Sequence, residues 1–235
     1  MTALYKRVLL KISGEALSGE IGHGYDNEVV KEVAMQIKKA RELGVQISVV
    51  VGGGNFWRGR QGLDMNRSTA DYMGMLETVM NSLCLQETLI SLGVPAIVQT
   101  SIEMMPVARP FDRREADEAL NSGKVVIFGG GTGCPFFSTD TTASLRAAEI
   151  EADVLLLAKN VDGIYDSDPK TNPLAKRYDE ISYLDFINQG LKAMDTSSVI
   201  MCKENHIPVF AFALLEDDSI VNAVIGKKGF GTWIK

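Results

Sequence analysis

The sequence predicts an α/β protein, a three-layer α/β/α sandwich built around a mostly parallel sheet. Strand-like and helix-like segments alternate through the first two thirds of the chain, the pattern of βαβ units. The strand candidates are nearly continuous apolar runs, as expected where both faces of a sheet are covered. Three of them also run directly into glycine-rich loops.

In order along the chain, "YKRVLLKI" (5–12) is the first strand. "NEVVKEVAMQIKKAREL" (27–43) is a helix that sets Val30, Val33, Ile37 and Ala40 on one face, with Asp26 as its N-cap and Gly44 at its stop. "VQISVVV" (45–51) is a strand, and residues 70–92 a long helix with Met75, Val79, Leu83 and either Leu89 or Ile90 facing inward. "VPAIVQT" (94–100) is a strand, "DRREADEALNSG" (112–123) a polar helix and "KVVIFGGG" (124–131) a strand. Helix 141–152 and strand 153–158 complete the alternation. From about residue 160 the texture turns polar and rich in turns, an excursion from the sheet rather than a linker. Two short helices, strand 207–213, a helix near 218–226 and a final strand "GTWIK" follow, so residues 1–235 form one domain with no internal repeat.

Apolar residues at 46% and charged residues at 23% of 235 suffice for a sizeable core. A formal charge of −6 with no basic run excludes a nucleic-acid-coating protein but not a nucleotide site. Cys84, Cys134 and Cys202 are scattered and read as reduced thiols. With no signal-peptide layout and no long apolar window, the expectation is a soluble cytoplasmic protein without membrane partners.

The loops after strands 5–12, 45–51 and 124–129 would meet at the carboxyl edge of the sheet, where α/β proteins bind ligands. "VVVGGGNFWRG" (49–59) is the sharpest of them: a valine run ends at three glycines, so something approaches the backbone closely. Clustered N–H groups and helix N-termini suit phosphate, and Lys11 and Arg58 add cations. The chain lacks a P-loop and a GxGxxG fingerprint, so any nucleotide cradle is of another kind. Lys11, within "LLKIS", reads either as a snorkelling or edge-strand lysine or, with "SGEA" following directly, as a phosphate contact, the reading favoured. Thr139 and Asp140 read either as caps of the following helix or as functional groups. "NVDGIYDSDP" (160–169) is a turn-rich loop without EF-hand spacing. His23 and His206 have no catalytic partners at useful spacing.

"LLKISGEAL", "VVVGGGNFWRG", "MNRSTADYMGMLETVMN", "GTGCPFFSTDTTASLRAAEIEAD" and "NVDGIYDSDP" occur in this order. Together they closely resemble the bacterial uridylate kinases (UMP kinases) of the amino acid kinase superfamily. The resemblance implies an amino acid kinase-like fold, the reaction UMP + ATP ⇌ UDP + ADP in pyrimidine nucleotide synthesis, Mg²⁺ carried with ATP, and a homohexamer. It places UMP mainly on the N-terminal part and ATP mainly on the C-terminal part. Carried over residue by residue, Lys11, Ser13 and Gly14 would contact the ATP phosphates, with Gly54 and Arg58 on the ATP side. Tyr165, Asp168 and either Lys159 or Asn160 would line the adenosine pocket. Gly53 would approach UMP and Asp71 hold its ribose. The run Thr132, Gly133, Cys134, Pro135, Phe136, Phe137, Ser138 and Thr139 would wrap UMP. Lys11, Arg58 and Asp140 would be catalytic. Gly19, Glu20, Ile21, Gly22, His23 and Gly24 match a stretch associated with activation by GTP, and UTP is the usual inhibitor. The alternatives are an amino acid kinase acting on a carboxylate and a noncatalytic storage or sensor protein on the same fold.

Overall fold

The computed structural model describes residues 2–57, 65–169 and 171–235. Along the chain the strands are β1 (Arg7–Ile12), β2 (Gln46–Val51), β3 (Ala96–Thr100), β4 (Arg109–Pro110), β5 (Val125–Gly129), β6 (Val154–Lys159), β7 (Glu180–Ile181), β8 (Val209–Ala213) and β9 (Gly231–Ile234). The helices are α1 (Asn27–Glu42), α2 (Arg67–Ser91), α3 (Arg113–Asn121), α4 (Thr139–Glu149), α5 (Tyr183–Asn188), α6 (Thr196–Glu204) and α7 (Ser219–Val224). A 3₁₀ segment, Gly14–Ile21, follows β1 and is broken at Gly19.

These strands form one sheet in the order β4-β3-β5-β2-β1-β6-β8-β9-β7. All described pairings are parallel except β8 with β9. β1 is central: β2 lies on one side of it and β6 on the other, so the winding reverses there and opens a crevice at the strands' carboxyl ends.

Alternation along β1 divides its side chains between two cores. Val8, Leu10 and Ile12 pack with the buried faces of α1, α2 and α7. Leu9 packs on the opposite face of the sheet with α3, α4, α5 and α6. By the same period, Lys11 points toward the α4 side. The cap of α1 is as the sequence predicts, with Asp26 accepting from the N–H groups of Glu28 and Val29.

Three expectations are corrected. α2 begins at Arg67 rather than Ala70, because Asn66 caps it by accepting from Ser68 N–H. Its buried face includes Thr78, Asn81 and Ser82, while Leu83 is only partly buried and Ile90 is exposed. α4 begins at Thr139, and its cap is Ser138, accepting from Thr141 N–H. Neither Thr139 nor Asp140 is the cap; Asp140 lies in the first turn, where a carboxylate also meets the positive end of the helix dipole.

Candidate functional site

At the carboxyl end of β1 the ammonium of Lys11 lies 2.8 Å from Oδ1 of Asp140, with the two side chains only 13% and 16% exposed. Burial pushes the Asp140 carboxyl up, but Lys11, Lys159 and the backbone N–H of Asp195 outweigh it and hold it below the usual carboxylate range. Lys159, at the end of neighbouring β6, is pulled down by burial and by repulsion from Lys11, partly offset by Asp140 and Asp195. Its ammonium donates to the carbonyl of Ala193. Two cations and one anion thus stand together where strand polarity and the first turn of α4 converge.

The glycine loops approach one another as well as any ligand. A Cβ on Gly14 would stand 2.3 Å from the carbonyl oxygen of Gly52, and one on Gly53 would stand 2.8 Å from that of Gly74 in α2. Side chains are missing there because the loop after β1, the loop after β2 and helix α2 interlock. Asn55 and Asn81, both fully buried, rivet that junction. Asn81 Nδ2 donates to Gly52 O at 2.6 Å and to Asn55 Oδ1 at 2.7 Å, and Asn55 Nδ2 donates to Gly24 O at 2.9 Å.

A cleft of about 640 Å³ opens beside this junction. Gly53, Asp71, Phe136, Phe137, Ser138 and Thr139 all line it, as does Gly54, which the resemblance assigns to the ATP side. Asp71 accepts from Arg67 Nε at 2.9 and 2.8 Å and from the N–H of Phe136 at 2.8 Å. Those bonds occupy three of the roughly four acceptor positions of a carboxylate. Phe136 adopts φ +73°, unusual for a side chain of its size, and its exposed ring lies under the Arg67 guanidinium, 5.5 Å from the ring centroid. Thr132 to Pro135 do not line the cleft. The hydroxyl of Thr132 pairs with the backbone of Cys134, and Gly133 turns at φ +78° against Ser101.

Tyr165, Asp168 and Lys159 line a second cleft of about 440 Å³. The hydroxyl of Tyr165 donates to Asp162 Oδ1 at 2.6 Å, and that bond is the main cause of its raised pKa. Asn160 lines a different cleft, of about 500 Å³, which Lys159 shares; of the two, only Lys159 reaches both. Ser13 precedes the 3₁₀ segment, and its side chain makes no capping bond. Arg58 lies outside the described residues.

Of the loop Gly19 to Gly24, Gly19 and Glu20 line that same 500 Å³ cleft. Its lining carries Glu15, Glu20, Asp26, Glu216 and Lys159. Ile21 is exposed, Gly22 is a left-handed cap, His23 packs edge-on against Phe56, and Gly24 N–H bonds to Asn55 O.

Sequence reasoning missed Asn81, Asp195 and Glu77. Asp195 lines the 640 Å³ cleft at the start of α6. Glu77 stands beneath Gly53; burial raises its pKa to about 7, against a smaller opposing effect of the Trp57 backbone N–H. Helical spacing from Gly74 and Met75 could have flagged these α2 positions as inward-facing polar groups. Among the described residues no three His, Cys, Asp or Glu side chains cluster as metal ligands, and no helix is long and apolar enough to cross a membrane.

The amino acid kinase family model matches residues 6–212. A solved UMP kinase from Bacillus anthracis is similar at 38% identity and TM-score 0.93, covering 98% of this chain and 96% of that one. A UMP kinase from Ureaplasma parvum is similar at 38% identity and TM-score 0.92, covering 98% of both chains. A uridylate kinase from Archaeoglobus fulgidus is similar at 27% identity and TM-score 0.73, covering 97% and 99%. Matched by the family model over most of its length and to UMP kinases nearly end to end, the chain belongs to the amino acid kinase family, on its UMP kinase branch.

Proposed function

We propose that the protein transfers the γ-phosphoryl group of ATP to the phosphate of UMP, with acceptor and donor meeting over Lys11 and Asp140. The observation that carries this reading is the convergence of the 640 Å³ cleft, the glycine loops and the buried Lys11–Asp140–Lys159 cluster on one crevice. UMP occupies that cleft, with Asp71 toward its ribose and Gly53, Phe136, Phe137, Ser138 and Thr139 around it. The turn Thr132 to Pro135 supports that wall. ATP lies on the opposite side, its adenosine beside Tyr165, Asp168 and Lys159 and its phosphates toward Lys11, Ser13, Gly14 and Gly54.

Phosphoryl transfer needs little covalent help from a protein; it needs alignment and neutralisation of charge. Two polyanions approach end to end. Lys11 stands at the meeting point, paired with Asp140, and Lys159 stands beside it, its ammonium held by the Ala193 carbonyl. No general base is required, because a phosphomonoester with a second pKa near ~6 is already mostly a dianion at neutral pH. A single buried carboxylate fits Mg²⁺ that arrives on the ATP phosphates and keeps much of its water, rather than a protein cage. Asp140 would hold that hydrated ion, and the ion would supply further charge neutralisation.

Self-association fits the outer face of α2, where Tyr72, Leu76 and Met80 are about half exposed at successive helical turns. A homo-oligomer, a hexamer by resemblance, would cover them. UTP, sharing the base of UMP, would inhibit from the acceptor cleft. Activation by GTP would act through the loop Gly19 to Gly24, a reading carried by the resemblance alone. Cysteines that are all unpaired suit a reducing, cytoplasmic setting.

The test is ADP release from ATP with Mg²⁺, using UMP, CMP, glutamate and acetylglutamate as separate acceptors. Turnover confined to UMP is expected. Turnover on an amino acid would overturn the acceptor assignment, and silence from folded protein would overturn catalysis.

A further inference from the structure

Arg146 is a cation placed where cations are rarely found. It lies on the buried face of α4, its side chain only 6% exposed, with the guanidinium 3.5 Å from the centroid of the Phe111 ring and also facing Phe128. Glu149, one turn along, neutralises it. Burying a guanidinium is unfavourable unless its donors are used. One of them is used on a single hydroxyl: Arg146 NH2 donates to Ser101 Oγ at 2.8 Å. Ser101 in turn donates to the backbone carbonyl of Gly131 at 2.7 Å.

Gly131 belongs to the wall of the 640 Å³ cleft. The preceding residue is pinned independently, Gly130 N–H donating to Thr78 Oγ1 at 2.8 Å. Both glycines have positive φ, +77° and +58°, so the segment has no intrinsic preference strong enough to hold this path. Two side-chain hydroxyls fix it instead, one from α2 and one from the loop after β3. Only the second hydroxyl is held by a charged partner. A charged donor also polarises the hydroxyl it bonds and strengthens the next bond in the chain. α4 carries Asp140 at its first turn and Arg146 further along, so one rigid helix sets both the charged cluster and the wall of the acceptor cleft.

We infer that Arg146, acting through Ser101, is a positioning residue for the acceptor nucleotide: the relay Arg146–Ser101–Gly131 sets the backbone wall against which the acceptor lies. The inference rests on the assignment of that cleft to UMP.

The test compares Ser101→Ala, Arg146→Lys, Arg146→Met and the double variant Ser101→Ala/Arg146→Met with an active wild type. Readouts are KM for UMP, KM for ATP, kcat, UMP binding by calorimetry, and Tm. If the relay positions UMP, Ser101→Ala raises the KM and Kd for UMP about tenfold while KM for ATP stays within about twofold, as for loss of one hydrogen bond to a binding wall. Arg146→Met should match it, the double variant should be no worse than the single ones, and Arg146→Lys should recover part of the loss because it keeps a charged donor. Should Arg146→Met fail to fold, Ser101→Ala, which removes one oxygen atom, decides alone. Unchanged UMP affinity with a lowered Tm, or equal loss for both nucleotides, would overturn the inference. A wild type that does not turn over UMP would instead overturn the acceptor assignment, so the two failures are distinguishable.

Discussion

The ammonium of Lys11, on the central strand, and the carboxylate of Asp140, on the first turn of α4, form a buried ion pair with oxygen and nitrogen 2.8 Å apart. Each side chain is costly in its place without the other, and on the proposed reading two nucleotide phosphates meet beside them. Substituting either should therefore affect folding as well as chemistry. Lys11→Ala and Asp140→Ala are expected to lower kcat by orders of magnitude and also to lower stability by about 3–5 kcal/mol, the usual cost of breaking a buried pair. Asp140→Ala should be the worse for stability, since it leaves Lys11 and Lys159 facing each other. Thermal melting and steady-state rates on the same preparations check this; an Asp140 variant that melts early yet keeps full turnover would leave the carboxylate a purely structural role.

Glu77 gives a pH dependence with a definite sign. Its pKa is raised from 4.5 to about 7 in the folded protein, chiefly by burial. A raised folded pKa means the folded state holds the proton more tightly than the unfolded one. The stability this group contributes is therefore full below 4.5 and is lost as pH rises through about 7. Glu77→Gln removes the titration. The variant should melt at about the wild-type temperature at pH 5 and a few degrees above it at pH 8, a shift of about 1 kcal/mol once the full linkage value is discounted for solvent screening of a partly exposed carboxylate. Melting curves at the two pH values check it, and equal shifts at both would refute the sign.

Much of the architecture was legible because burial and period coincide. The apolar strands and the face of α1 through Val30, Val33, Ile37 and Ala40 lie where the pattern puts them. The two-residue strands β4 and β7 were not, since two residues carry no period. The start of α4 was misplaced because Ser138, Thr139 and Asp140 all qualify as caps, and only the path of the chain selects Ser138. In the candidate site, single residues such as Lys11 announced themselves by being out of place on a buried strand. Asn81, Ser101 and Arg146 did not, because what makes them matter is a partner far away in sequence.

Asn81 supplies the next expectation. It bonds Gly52 O and Asn55 Oδ1 in a site from which water is excluded, and through Asn55 it reaches Gly24. Asn81→Ala would leave Asn55 partly unpartnered and the Gly52 carbonyl without this donor. A loss of about 1–3 kcal/mol follows from stranding such groups. On the proposed placement of ATP and UMP, the glycine loops of both sides are joined here, so KM for ATP and for UMP should rise together. That separates Asn81 from the one-sided effects expected at Ser101. Urea unfolding and paired KM measurements check both parts, and a rise confined to one nucleotide would contradict a shared rivet.

Asp71 should behave in the opposite, one-sided way. Its carboxylate holds the Phe136 N–H at 2.8 Å and Arg67 beside it, so it fixes the strained turn at the mouth of the 640 Å³ cleft as well as facing into that cleft. Asp71→Asn keeps the size and one acceptor but loses the charge that pairs with Arg67. One oxygen must then choose between Phe136 and a ribose hydroxyl. KM for UMP is expected to rise by about tenfold or more, with KM for ATP nearly unchanged, as for loss of one charge-assisted hydrogen bond. Arg67→Ala separates the two duties of the carboxylate. It removes the ion pair and the cation over the Phe136 ring but leaves the acceptor for Phe136, so it should raise KM for UMP less than Asp71→Asn does. Equal effects of the two substitutions would mean that Asp71 acts only by anchoring Arg67, and equal rises in KM for both nucleotides would displace UMP from this cleft.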